Sequence, residues 1–237
     1  MLSALDNKHA WRAAAGSCSA GGGTLLTTRD GGKTWTRRQA QLRRIVRVQA
    51  GDAAAAFVVG ANVSCAPQVK DTADGGDTWA GGGNVGQAWF RDPANARSVV
   101  APGLPGSAPC GRRSVFDLAV VTGSARVLCS DGRVRSTQDG ALWSDAGKAS
   151  GAVALAVPPA STSRTYVARL GAPDCAGVQI LRVGQRLPVS CIRTLLPAEA
   201  GQIALALTKG GGWLAVGSTT LRSTDDLVTW RVSSESL

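Results

Sequence analysis

The sequence predicts an all-β protein, and three observations carry that reading: its composition, its tryptophans and a turn motif that recurs along the chain. Glu occurs twice, at Glu199 and Glu235, and Lys five times, against 30 Gly and 10 Pro in 237 residues. Long helices draw on Glu, Lys, Leu and Ala, whereas short strands joined by tight turns need Gly and Pro. Apolar residues make up 44% of the chain, enough for a core and too many for a disordered segment. No apolar run approaches the roughly 20 residues of a spanning helix, so no transmembrane segment is expected. Of the few aromatic residues seven are Trp, which suits large buried contacts between sheets.

The recurring motif is Ser/Thr-x-Asp-x-Gly-x-Thr-Trp. It appears as Thr28, Asp30, Gly32 and Trp35, and again as Thr72, Asp74, Gly76 and Trp79. A weaker copy places Ser136, Gly140 and Trp143 in the same frame, with Gln138 at the acidic position. A fourth has Ser223, Asp225 and Trp230, with Leu227 at the glycine. Each copy reads as a hairpin turn: the Asp accepts from backbone N–H groups ahead of it, Gly takes a positive φ, and Trp starts the next strand. The pattern resembles the Asp-box (BNR repeat) of sialidase-type β-propellers. That resemblance implies four-stranded antiparallel blades in which the box is the turn between the third and fourth strands. It also implies a structural role for the box, on the face opposite the usual binding site.

Along the chain the expected blades are 1–40, 41–84, 85–113, 114–148, 149–200 and 201–237, closing one propeller domain. The first two carry the two intact motifs. Residues 86–146 align with 151–237 as a shortened version of the same pair of blades, and Val178–Val183 fits the third strand of a blade whose box has decayed. Six blades is the main expectation. Because 85–113 is short for four strands, five blades with an inserted hairpin is the alternative. The glycine runs at 81–83 and 210–212 lack the Lys-Ser/Thr of a phosphate loop and read as turns.

Cys18, Cys65, Cys110, Cys129, Cys175 and Cys191 form an even set with no C-x-x-C pair, and His9 is the lone histidine. Disulfides are therefore expected, and no metal site. In the propeller frame all six cysteines gather on the face away from the boxes, where bridges need Cα atoms within roughly 7 Å. Six cysteines allow many connectivities and sequence does not select one; the pairing adopted as an expectation is Cys18–Cys65, Cys110–Cys129 and Cys175–Cys191. Disulfides imply a secreted, periplasmic or cell-envelope protein. The first residues lack a basic region followed by an apolar run, so a leader removed from this sequence is expected.

The formal charge is +10, from 26 Lys and Arg against 16 Asp and Glu. Such a surface favours anionic partners. Arg37, Arg38, Arg43, Arg44 and Arg47 lie within eleven residues, and Arg112 and Arg113 stand at the start of another blade. Both groups are expected around the channel mouth on the cysteine face, short of acidic partners. No nucleic-acid motif accompanies them, so nucleic acid is not an expected partner. Catalytic groups are sparse. Tyr166, the single tyrosine, sits in a core-like strand, and Phe90-Arg91-Asp92-Pro93 is only superficially similar to a sialidase Phe-Arg-Ile-Pro segment. Asp6, Asp52, Asp117 and Asp131 are candidates to face the channel, but their spacing marks no pair. The expected function is a non-enzymatic, cofactor-free, monomeric scaffold that offers a basic face to a protein or an anionic glycan. This resembles the photosystem assembly-factor branch of Asp-box propellers. The alternative is a divergent glycoside hydrolase or lyase that uses channel-lining aspartates.

Overall fold

The structure, a computed structural model, describes residues 1–81, 84–121, 123–159, 161, 163–193, 199 and 201–235. Gly82 and Gly83 of the expected glycine turn fall outside the described residues. The chain folds as an all-β propeller of five four-stranded antiparallel sheets and one two-stranded hairpin. The first sheet holds β1 (Leu2–Ala4), β2 (Ala10–Ala14), β3 (Thr24–Thr28) and β4 (Thr36–Arg38); the second holds β5 (Arg44–Ala50), β6 (Ala56–Ala61), β7 (Pro67–Thr72) and β8 (Ala80–Gly81). A 3-10 turn at Val85–Gln87 leads to the hairpin, β9 (Phe90–Arg91) and β10 (Val99–Val100). Next comes β11 (Val115–Val121), β12 (Ser124–Cys129), β13 (Arg133–Thr137) and β14 (Ser144–Lys148). The following sheet is β15 (Ala152–Ala156), β16 (Tyr166–Arg169), β17 (Gly177–Arg182) and β18 (Ser190–Arg193). The last is β19 (Ile203–Thr208), β20 (Gly211–Val216), β21 (Thr219–Ser223) and β22 (Arg231–Glu235). In each sheet the strands pair in chain order. The first strands β1, β5, β9, β11, β15 and β19 pack side by side into a closed ring.

The six-blade expectation is corrected to five blades. Residues 85–113 do not form a four-stranded sheet. They supply only the hairpin. Arg44 at the start of β5 reaches the Pro93 carbonyl, while Arg47 in mid-strand reaches that of Trp89, which ties the hairpin to β5. The segment is too short to cross the layer four times, and its Pro and Gly residues favour turns over ladder pairing.

Buried apolar clusters fill the space between successive sheets. Trp11, Leu25, Ile45 and Val58 pack between the first two, and Leu128, Leu155, Val167 and Leu181 between the third and fourth full sheets. A larger cluster joins Ile180, Ile192, Leu205, Leu214 and Leu227 between the last two. The junction of last and first sheets, like the others, shares no strand and is held by side chains. Trp213 Nε1–H donates to Asp6 O at 2.9 Å, Arg222 donates to Asn7 O at 2.6 Å, and Arg12 reaches the carbonyls of Gly217 and Ser218.

Three of the repeated turns share one bonding scheme. Thr28 Oγ1 accepts the Gly32 N–H and donates to Asp30, whose oxygens accept the Thr34 N–H and hydroxyl. Thr72, Asp74 and Thr78 repeat it, as do Ser223, Asp225 and Thr229. The third turn is one residue shorter than its expected frame. Thr137, not Ser136, donates to the carboxylate and accepts the Gly140 N–H, and Asp139, not Gln138, is the acceptor. Ser136 is thereby a strand residue of β13. In the last turn Leu227 adopts φ 72° at the expected glycine position and is buried among its neighbours.

The turn tryptophans meet tryptophans of the preceding unit edge-on: Trp35 on Trp213, Trp79 on Trp11 and Trp143 on Trp89, with ring centroids 5.9–6.3 Å apart. Gly76 is required at such a contact. Its φ is +89°, and a Cβ there would lie 3.0 Å from the Trp11 ring and 2.9 Å from Arg38.

Three disulfides join Cys18–Cys65, Cys110–Cys129 and Cys175–Cys191, with Cα separations of 5.6, 5.6 and 5.7 Å. The first links two sheets; the others tie a connection or an outer strand to its own sheet. This is the expected pairing.

Candidate functional site

The ring of first strands encloses a channel of about 1230 Å³. Its wall is mostly small and aliphatic, drawn from consecutive residues of β1, β11 and β19. Arg12, Arg47 and Arg91 break this lining, and the one carboxylate among the described lining residues is Asp117.

Each guanidinium is held by backbone carbonyls across a junction. Arg12 from β2 spans to the last sheet, where Thr220 Oγ1 also accepts from it at 3.0 Å. Arg47 from β5 donates to Trp89 O at 2.8 Å and Gln49 Oε1 at 3.1 Å, and its guanidinium carbon lies 5.0 Å over the Phe57 ring. Burial lowers the Arg47 pKa to about 10, so it stays charged at neutral pH. Arg91 from β9 donates through one nitrogen to Phe116 O at 2.6 Å. Asp117, beside a bulge in β11, accepts the Leu118 N–H at 2.9 Å and the Leu155 N–H at 2.8 Å, joining β11 to β15. Both of its oxygens are thus occupied by the channel wall.

The seven arginines singled out from the sequence do not form one patch of unpaired charge. Arg37 is exposed on the outer strand β4. Its neighbour Arg38 pairs with Asp77 across the first junction. Arg43 donates to Cys18 O at 2.8 Å, and Arg44 to Pro93 O. Of the first group only Arg47 lines the channel. Arg112 and Arg113 are exposed in the turn after Cys110, just before the lining residue Ser114. A guanidinium on a strand end finds carbonyls of the adjoining sheet, which sequence proximity to carboxylates does not reveal. Arg12 was not singled out, and Arg91 was named only within the Phe90-Arg91-Asp92-Pro93 segment. Their signal was an arginine beside a buried aromatic residue, in Trp11-Arg12 and Phe90-Arg91.

Among the four channel-facing aspartate candidates, only Asp117 lines the channel. Asp52 accepts the N–H groups of Ala55 and Ala54, which hold its carboxyl below the ordinary range. Asp6 accepts the Lys8 and His9 N–H groups, and Asp131 pairs with Arg133 Nε at 2.9 Å. Tyr166 is half-buried against the cluster between the last two sheets. Among the described residues, no group of three or more His, Cys, Asp or Glu is placed to hold a metal ion, and no helix is long and apolar enough to cross a membrane.

No protein-family model matches the sequence, and a search of curated proteins gives no match. Among solved structures the chain is similar to the GH74 enzyme of Niastella koreensis, at 14% identity and a TM-score of 0.51, over 97% of this chain and 46% of that one. It is also similar to YCF48 from Cyanidioschyzon merolae, at 18% identity and a TM-score of 0.46, over 98% of this chain and 83% of that one. A structure of YCF48 bound to D1 peptide gives 18% identity and a TM-score of 0.46, over 98% of this chain and 79% of that one. The chain thus spans under half of the GH74 enzyme's length, and that likeness shows a shared β-propeller fold.

Proposed function

We propose that the protein is a binding scaffold that takes an anionic partner, an acidic protein segment or an anionic glycan, at its channel. The observation that carries this reading is the set of three fixed guanidinium groups, Arg12, Arg47 and Arg91, facing one carboxylate already bonded to the wall. Charges held in place by backbone carbonyls in a concave site lose little freedom on binding and attract anions strongly. The exposed pair Arg112 and Arg113 adds charge near the channel and suits recognition of carboxylate or sulfate forks. Binding is favoured over hydrolysis because paired-carboxylate chemistry needs two acidic groups about 5–10 Å apart. Three disulfides support a non-cytoplasmic setting, which we take to be secreted, periplasmic or cell-envelope. The shared bonding of the repeated turns supports kinship with the Asp-box propellers.

The test combines Arg91→Gln with Arg112→Gln and Arg113→Gln. Binding to heparin and to a poly-glutamate peptide is measured at low and physiological salt, alongside the melting curve. An affinity loss of at least about fivefold is expected in the still-folded chain, with a weaker dependence on salt, and Arg112→Gln with Arg113→Gln alone should weaken binding at unchanged melting. Turnover of any fluorogenic glycoside that vanished in Asp117→Asn would overturn the scaffold reading in favour of a hydrolase.

A further inference from the structure

A second cleft, of about 470 Å³, opens on the sheet β11–β14 and adjoins the channel at Gly123. It exists because of two local departures from the repeat. The contracted third turn uses Thr137 for its hydroxyl, which leaves Ser136 on the strand face, in register with Arg126 of β12 and Ser144 of β14. In the first sheet the matching row is Trp11, Thr27 and Thr36, and in the last it begins with Trp213. There the indoles fill the junction by packing on Trp79 and Trp35. In this sheet Arg126 stands where those indoles do, and the row lines open space.

We propose that this cleft binds a neutral polyhydroxylated ligand, a saccharide of one or two units. Its volume lies in the roughly 300–1,000 Å³ range of small-ligand pockets. Cross-strand pairing puts the Cβ atoms of Ser136 and Ser144 about 5 Å apart, with Arg126, which also reaches Arg164 O, one strand beyond, and Gln138 adds an amide with both a donor and an acceptor. Asp139 also lines the cleft, and its carboxylate disfavours an oxyanion there. The N–H groups of Leu142 and Ala141 hold Asp139 below the ordinary carboxylate range, so it is ionised at neutral pH. Its bonds to Thr137, Ala141 and Leu142 all fall on Oδ1. Leu142, 77% exposed at the same cleft, offers an apolar surface for the C–H face of a sugar ring.

Saturation-transfer NMR with maltose, cellobiose and chitobiose, and with inorganic sulfate as the anion control, tests the assignment. One disaccharide should bind the wild-type chain and bind at least about fivefold more weakly after Ser136→Ala with Ser144→Ala, the loss of two hydrogen bonds. Ser136→Trp, which fills the cleft, should abolish binding, and melting should be unchanged throughout. The Arg91→Gln chain should bind the same disaccharide normally, which separates this site from the channel. Absence of binding by all three disaccharides to the folded wild-type chain would overturn the proposal. So would binding that survives Ser136→Trp, or displacement of the disaccharide by sulfate.

Discussion

At the scale of single residues, the short polar side chains of the repeated turns carry more of the structure than their exposure suggests. Thr28 is buried and serves the Gly32 N–H and the Asp30 carboxylate together. Thr28→Val keeps the shape and removes both bonds, so a loss of about 1–3 kcal/mol is expected in urea unfolding. Hydrogen bonds from Thr34 and Thr229 lower the carboxyls of Asp30 and Asp225 to about 2. A folded-state pKa below the unfolded value of about 4 gives stability that is present above pH 4. It is lost as pH falls from about 4 to about 2. Melting temperature measured between pH 6 and pH 2 should therefore drop in that window, and Asp30→Asn should flatten the drop. Solvent screening of these exposed groups keeps each contribution small.

At the scale of elements, tryptophan pairs and disulfides decide how sheets are joined. Trp213 is fully buried, meets Trp35 edge-on and donates to Asp6 O. Trp213→Ala should cost about 3–5 kcal/mol, read from chemical unfolding. Alkylation without reductant, followed by intact-mass measurement, should find no free thiol, and Cys18→Ser with Cys65→Ser should cost about 2–4 kcal/mol. The sheets bearing intact motifs were legible in the sequence because Thr, Asp, Gly and Trp at fixed offsets have one good geometry, a hairpin turn. The disulfide pairing was one choice among the many that a shared face allows, and the structure has it. Two features were hidden. The contracted third turn contains Ser136-Thr137 and Gln138-Asp139, so two frames fit the text, and only the bonds to Thr137 and Asp139 decide between them. The segment 85–113 has the spacing of a degenerate blade, while its seat against β5 depends on where Arg44 and Arg47 find carbonyls. Tertiary partners of long side chains leave no periodic trace.

At the scale of the whole molecule, the ring is closed by side chains at the junction of last and first sheets, where Arg12, Arg222 and Trp213 grip the opposite backbone. Replacing Arg12 and Arg222 together with Gln should lower the melting temperature and speed amide exchange first in β1, β2 and β19–β22, the signature of opening at one joint. The same device recurs elsewhere: Arg29 to Asp74 O, Arg43 to Cys18 O, Arg91 to Phe116 O and Arg126 to Arg164 O. Arginine presents several N–H groups in a rigid fork and stays charged when half-buried, which suits a grip on carbonyls in two directions. Part of the positive charge of the chain therefore resides in its mechanical joints, with a practical consequence for anyone seeking a neutral form. Removing arginines would loosen the ring, whereas adding carboxylates at exposed outer positions such as Thr36 and Ala80 should shift the isoelectric point and leave the melting curve in place.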